Sequence, residues 1–174
     1  RRIPTENISK FKRSPFDENR IFLTMALGFE SIYFEDGEWI REGPVMDIES
    51  DTYSILVEPS GSIWLETSED WIWRIRFENE EKASALESPT LEKFGLEEGL
   101  PGERILLLNV NGGVYATPHQ EGKLTYFYDR EKGLFGVDTT LHTLFQTGNK
   151  NLRLNYVDAF ENLLFTSYDD GGSP

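Results

Sequence analysis

Gly61-Ser62-Ile63-Trp64 decides the fold, because its pattern occurs four times along the 174-residue chain. A small or acidic residue is followed by a polar residue or glycine, then by a β-branched residue or leucine, and then by a large apolar residue. The other copies are Glu30-Ser31-Ile32-Tyr33, Gly112-Gly113-Val114-Tyr115 and Glu161-Asn162-Leu163-Leu164. Successive copies begin 31, 51 and 49 residues apart, and the two longer intervals approximate the spacing of about 40–50 residues in four-stranded propeller repeats. The shorter first interval indicates an abbreviated blade or a misplaced first copy.

The sequence around these copies alternates short apolar runs with turns, which is typical of sandwiches, barrels and propellers. Asp36-Gly37 and Asn111-Gly112 follow apolar runs and favour tight hairpins. Residues 71–77 alternate with period two, as a strand does. We find no pattern of a long amphipathic helix.

We therefore predict an all-β fold, a partial β-propeller of about three to four blades, each blade a four-stranded antiparallel sheet. One blade cannot bury both of its faces alone, so neighbouring blades stack and share an apolar layer. Trp64 and Tyr115 are predicted to fill that layer. Residues 1–19 are polar and contain two prolines, so we interpret them as an irregular lead-in, and residues 20–174 as the blade segment of a larger domain.

The charge argues against two kinds of partner, and the composition excludes cysteine chemistry. The chain has 31 acidic and 17 basic residues, a net charge of −14, whereas nucleic-acid binders need clustered cations and anionic membranes attract basic segments. Because there is no cysteine, disulfides, thiolate catalysis and zinc–thiolate sites are excluded. No apolar run approaches the roughly 18 residues of a membrane-spanning helix, and no cleavable signal pattern opens the chain. Both ends are interpreted as boundaries inside a longer protein.

Three stretches resemble the repeat of two-component regulator propellers. Ser60-Gly61-Ser62-Ile63-Trp64-Leu65-Glu66-Thr67 resembles the D-x-x-G-x-I-W-x-G-T motif of that family, with Glu66 where glycine is usual. Gly99-Leu100-Pro101 resembles the turn that closes one blade and opens the next. The later part of the same repeat is resembled by residues 114–117, the aromatic run at 125–129 and Leu134-Phe135.

This resemblance, which covers residues 20–167, implies a function and a location. Such propellers form the extracytoplasmic sensor region of bacterial transmembrane signalling proteins. We therefore expect a non-catalytic periplasmic or extracellular sensor segment that binds an unknown small molecule or glycan, with no cofactor and no nucleic acid. A change in blade packing would relay the signal to membrane-spanning and kinase, cyclase or phosphatase modules outside this chain, which would also supply any membrane anchor. A complete sensor has far more blades, so the exposed blade faces predict self-association or cover by the full protein.

Trp71 and His119 are the candidate ligand-binding residues. Trp71 directly follows a turn and His119 lies in a turn between two strands, and loop positions of this kind line a propeller face. Two explanations of the aromatic strands remain open: a stacking platform for sugar rings, or an apolar layer between blades. No catalytic residue is predicted. No metal-ligating residue is predicted either, because the acidic runs, including the one at residues 66–70, lack the ligand spacing of calcium loops. We interpret these runs as solvated surface.

Two alternative functions remain open. The first is a fragment of a propeller-type carbohydrate-active enzyme, since two carboxylates that meet in space leave no sequence signature. A G-x-S-x-G elbow and phosphate-binding loops are absent from the sequence. The second alternative is a protein-interaction scaffold, which ligand-dependent stabilisation would distinguish from a sensor.

Overall fold

The computed structural model describes the chain over residues 8–26, 28–44, 48–79, 88–119, 124–139, 150–157 and 163–169. All the secondary-structure elements assigned in these ranges are β-strands. The prediction of an all-β fold is confirmed.

Consecutive strands pair in antiparallel fashion and form sheets in chain order. The first sheet contains β1 (Ile8–Arg13), β2 (Arg20–Met25), β3 (Phe29–Glu35) and β4 (Glu38–Pro44). The second contains β5 (Thr52–Val57), β6 (Ile63–Thr67), β7 (Ile72–Arg76) and β8 (Thr90–Phe94). The third contains β9 (Ile105–Val110), β10 (Gly113–Pro118), β11 (Tyr126–Asp129) and β12 (Leu134–Val137). A fourth, two-stranded sheet pairs β13 (Lys150–Val157) with β14 (Leu163–Asp169).

The first strands of successive sheets lie next to one another. β5 lies against β1 and β9, and β13 lies against β9. Each described sheet keeps its own edge strands, because no hydrogen-bonded ladder joins one described sheet to the next. The sheets therefore form an open series whose members meet through side chains.

Both predicted hairpins are confirmed. Asp36 and Gly37 join β3 to β4 with φ angles of 51° and 85°, and Asn111 and Gly112 join β9 to β10 with φ angles of 51° and 74°. Two successive residues with positive φ define the turn that matches the twist of paired strands, and the pairs Asp-Gly and Asn-Gly adopt it most readily.

Two apolar clusters hold the first three sheets together. The cluster between the first and second sheets consists of Phe22, Phe29, Ile48, Ile63, Leu65 and Ile75. The cluster between the second and third sheets consists of Leu56, Trp64, Ile72, Phe94, Leu100, Ile105, Leu107, Val114, Ala116, Tyr128 and Phe135. Since successive side chains of a strand point to opposite faces, β6 contributes to both clusters and the second sheet is covered on both sides.

The first copy of the repeat is misplaced in the sequence prediction. Ile63-Trp64 and Val114-Tyr115 lie in β6 and β10, the second strands of their sheets, whereas Ile32-Tyr33 lies in β3, a third strand. The counterpart in the first sheet is Ile21-Phe22 of β2, and Phe22 is fully buried against the second sheet. This pair precedes Ile63-Trp64 by 42 residues, which is nearer than the predicted 31 residues to the later intervals of 51 and 49 residues.

Trp64 and Tyr115 occupy corresponding positions but different layers. Trp64 is fully buried between the second and third sheets. Tyr115 is half-buried beside Phe127, with 5.0 Å between the ring centroids. Its neighbours Val114 and Ala116 belong to the layer that contains Trp64, so Tyr115 lies on the opposite face of the third sheet.

The described part of the N-terminal segment contains a strand that the sequence does not predict; residues 1–7 of the predicted lead-in lie outside the described ranges. Ile8–Arg13 form β1, which pairs with β2, so an irregular lead-in over residues 1–19 is wrong for these six residues. β1 is largely polar, and most of its side chains are exposed. A polar strand lacks the alternation of apolar residues by which strands are recognised in a sequence.

Gly99 docks the linker between the second and third sheets onto β12. Its φ is +90°, and a Cβ at this position would lie 2.1 Å from the carbonyl oxygen of Phe135. The Phe135 N–H donates a hydrogen bond to the Glu98 carbonyl oxygen at 2.8 Å, and Leu100 is buried in the cluster beneath. Only glycine combines this φ with so close a backbone approach.

Candidate functional site

Two cavities adjoin Trp71, at the end of the second sheet where β6 turns into β7. The first, which we call the indole cavity, has a volume of about 410 Å³ and is lined by Glu49, Ser50, Glu69, Trp71 and Trp73. The second has a volume of about 420 Å³ and is lined by Asp70, Trp71, Lys93, Gly95, Leu96, Glu97 and Glu98. Trp71 therefore contributes to both cavities. Both are made by strands of the second sheet and by the segments that enter or leave it.

The turn before β7 is held by the hydroxyl of Thr67. This hydroxyl donates to the Trp71 carbonyl oxygen and accepts from the Glu69 N–H at 3.2 Å. Thr67 itself is buried. Glu69 and Trp71 are thereby fixed relative to each other at the rim of the indole cavity.

A lysine ammonium already lies on the Trp71 ring. The Lys93 Nζ is 3.6 Å from the ring centroid of Trp71, well inside the range of about 6 Å for cation–π attraction. Lys93 of β8 pairs in register with Trp73 of β7. Because paired residues point to the same face of a sheet, the two indoles and this ammonium share one side of the second sheet.

His119 lies apart from this site. It is exposed beyond the end of β10, and its N–H donates to the Arg104 carbonyl oxygen at 2.8 Å. The described linings of the two cavities at Trp71 do not include it. The structure thus places Trp71 at a cavity and does not bring the two predicted site residues together; their role in ligand binding stays a prediction.

Glu66 is a buried carboxylic acid that sequence reasoning missed. It is 4% exposed, so its assignment to a solvated acidic run is wrong. The Leu107 N–H of the third sheet donates to its Oε1 at 2.7 Å. Burial raises the pKa of Glu66 to about 7, although the Leu107 hydrogen bond and the charges of Arg104 and Lys10 act in the opposite direction.

Replacing Glu66 with glutamine is expected to remove a pH dependence of stability. The folded-state pKa of about 7 lies above the ordinary value of 4.5, so folding favours the protonated acid. Protonated Glu66 therefore contributes its full stabilisation below the ordinary pKa. That contribution, up to about 3 kcal/mol in the free energy of unfolding, is lost as the pH rises through the folded-state pKa. Glutamine keeps an acceptor for the Leu107 N–H and cannot ionise.

Urea unfolding of the wild type and E66Q between about pH 5 and about pH 8 measures this effect. The control is E131Q, which removes an exposed acid. The stability of E131Q should follow the wild-type pH curve. Parallel pH curves for the wild type and E66Q would contradict the assignment of the titration to Glu66.

A second buried group of charges lies at the opposite end of the second and third sheets. The fully buried carboxylate of Glu58 pairs with Arg74 at 3.3 Å and with Arg130 at 2.7 Å. Arg74 also donates to the Tyr128 hydroxyl at 2.9 Å and to the Ser62 hydroxyl at 3.1 Å. Its guanidinium carbon lies 5.1 Å from the ring centroids of both Trp64 and Tyr128. We call Glu58, Arg74 and Arg130 the ionic clasp; its partners come from two sheets, so it joins them.

The described ranges give no sign of a metal centre. No group of three or more histidine, aspartate or glutamate side chains within them is placed to hold a metal ion. The same ranges hold no helix with the length and apolar character needed to cross a bilayer.

Comparisons with known proteins leave the function to be inferred from the site. No protein-family model matches this chain, and no curated protein gives a significant match.

Proposed function

We propose that this chain is a stretch of β-propeller blades that binds a ligand as the sensor segment of a signalling receptor, without chemistry in this segment. The observation that carries the binding role is the indole cavity, where two tryptophans and two carboxylates line one space beside the linker into the second sheet. Aromatic surface with a few polar groups is the usual composition of a small-molecule site. The expected ligand is a small molecule or a glycan.

The blade assignment is supported by the way the sheets repeat. The first, second and third sheets are each four-stranded and follow the chain order. Their first strands lie against one another in sequence, as strands nearest a common axis do in radially repeated sheets. Ile21, Ile63 and Val114 occupy matching positions in β2, β6 and β10, which supports a unit repeated in space as well as in sequence.

The proposed mechanism is a change in packing between neighbouring sheets. Glu49 and Ser50 lie in the linker from the first sheet, whereas Trp71 and Trp73 belong to the second sheet and its preceding turn. Trp73 also packs against the cluster shared by the first and second sheets. A ligand held by both sides of this junction favours one relative placement of the sheets. In an extracytoplasmic receptor, that change would pass to membrane-spanning and output modules outside this chain.

A thermal-shift screen with metabolites and oligosaccharides tests the proposal. A ligand at about 100 times its dissociation constant should stabilise the protein by about 2.7 kcal/mol, and W71A should abolish the shift. W39A is the matched control, because Trp39 is 41% exposed on the first sheet, outside the described lining of the cavity. A chain that no compound stabilises would favour the interaction scaffold, and turnover of a bound oligosaccharide would favour the enzyme.

A further inference from the structure

We infer that the indole cavity binds an organic ammonium ion, either a primary amine or a quaternary ammonium group. This inference rests on the proposed ligand-binding function and names the chemical class of the ligand. It draws on the charges that line the cavity, on its aromatic surface, and on the Lys93 ammonium that lies on the Trp71 ring.

The charges at the indole cavity are all of one sign among its described lining residues. Glu49 and Glu69 supply carboxylates, and the other lining residues, Ser50, Trp71 and Trp73, are uncharged. Asp70 follows Glu69 and lines the adjoining cavity. A ligand that displaces water from these carboxylates must replace their hydration, which a cation does best. An anionic ligand would be repelled by Glu49 and Glu69, and the Lys93 ammonium on the Trp71 ring offsets only part of that repulsion.

The aromatic surface favours the same class. Indole is the aromatic side chain that attracts cations most strongly, and aromatic rings are the usual surroundings of bound quaternary ammonium groups. Trp71 and Trp73 both line the cavity and both are half-buried. The cavity of about 410 Å³ leaves room for an ammonium group with a small organic body.

Lys93 shows that the Trp71 ring accepts an ammonium. Its Nζ lies 3.6 Å from the ring centroid, and the ring belongs to the wall of both cavities. A ligand ammonium at Trp71 would therefore meet a like charge from Lys93 and an opposite charge from Glu69. Removal of Lys93 and removal of the Glu69 charge should change the affinity in opposite directions.

Isothermal titration calorimetry with matched probe pairs tests the inference. Choline is compared with dimethylbutanol, in which carbon replaces the charged nitrogen, and glucosamine is compared with N-acetylglucosamine, in which acetylation removes the charge. The charged member of each pair is expected to bind about threefold to tenfold more tightly. E69Q should weaken binding of the charged probes by a similar factor, K93M should strengthen it, and E131Q, which changes an exposed acid elsewhere, should leave it unaltered.

The outcomes separate this inference from the proposed function. Equal affinity within both probe pairs, or no binding by either ammonium probe, overturns the ammonium class. If another compound then stabilises the wild type and not W71A, the ligand-binding role stands. If the screen also finds no ligand, both fail. Unfolding midpoints of E69Q and K93M close to that of the wild type exclude loss of fold as the cause of any change.

Discussion

Replacement of Glu58 by glutamine is expected to lower the free energy of unfolding by about 3–5 kcal/mol, because it removes one partner from a buried ion pair and leaves the other charge buried. The Glu58 side chain has no exposed surface, and the Arg74 side chain is 12% exposed. Arg74 keeps its hydrogen bonds to Tyr128 and Ser62 in the variant. It also keeps the partly exposed Glu92 carboxylate at 3.6 Å, but it loses the fully buried carboxylate at 3.3 Å. Arg130 is half-exposed and can turn towards water at little cost.

Urea unfolding at neutral pH measures this loss, with E18Q as the matched control. Glu18 pairs with Arg13 at 3.7 Å while both side chains remain largely exposed, and such pairs contribute little to stability. E18Q should therefore keep the wild-type midpoint. An E58Q variant as stable as E18Q would show that the ionic clasp does not hold the second and third sheets together.

Local chemistry made the strands and hairpins predictable. The turn at Asp36-Gly37 and the turn at Asn111-Gly112 are specified by two adjacent residues that adopt positive φ. The period-two pattern of residues 71–77 depends on neighbours within the same strand, and it predicts the core of β7 (Ile72–Arg76). Four-stranded antiparallel sheets follow from short connections between such strands.

The strand that carries each copy of the repeat, and the side chains that are buried, were not predictable, because both depend on residues far apart in the chain. The pattern at Ile32-Tyr33 is locally as good as the one at Ile63-Trp64, and β1, a polar strand without a periodic signal, shifts the count by one strand. The ionic clasp joins residues 72 positions apart. No local sequence pattern reports the missing strand count or the pairing of residues so far apart.

The candidate site was predictable only at Trp71. A tryptophan directly after a turn is a reasonable candidate for a ligand contact, and the structure places Trp71 in the walls of two cavities. Glu49 and Ser50 come from another part of the chain and reach the same cavity through the linker into the second sheet. Glu66 carried one signal, since it stands where the resembling family has glycine, but its burial depends on the backbone of β9.

Replacement of Trp64 by alanine is expected to lower the free energy of unfolding by about 3–5 kcal/mol, the usual cost of removing a large buried aromatic side chain. Trp64 is fully buried, and its ring centroid lies 5.0 Å from that of Phe94, 4.9 Å from that of Tyr128 and 5.8 Å from that of Phe135. These partners belong to both the second and the third sheets, so alanine leaves a void at their junction. Arg74 also loses one of the two rings beside its guanidinium.

Chemical unfolding of W64A and W39A distinguishes this role from a general effect of tryptophan loss. Trp39 is 41% exposed and its ring pairs with Phe34 at 5.1 Å, so W39A should cost no more than about 1 kcal/mol. W64F, which keeps an aromatic ring, should lie between W64A and the wild type. If W64A and W39A unfold at the same denaturant concentration, the layer between the second and third sheets cannot be the main source of stability. The blade assignment would then lose its energetic basis, because stacked sheets are stable only through the layers that they share.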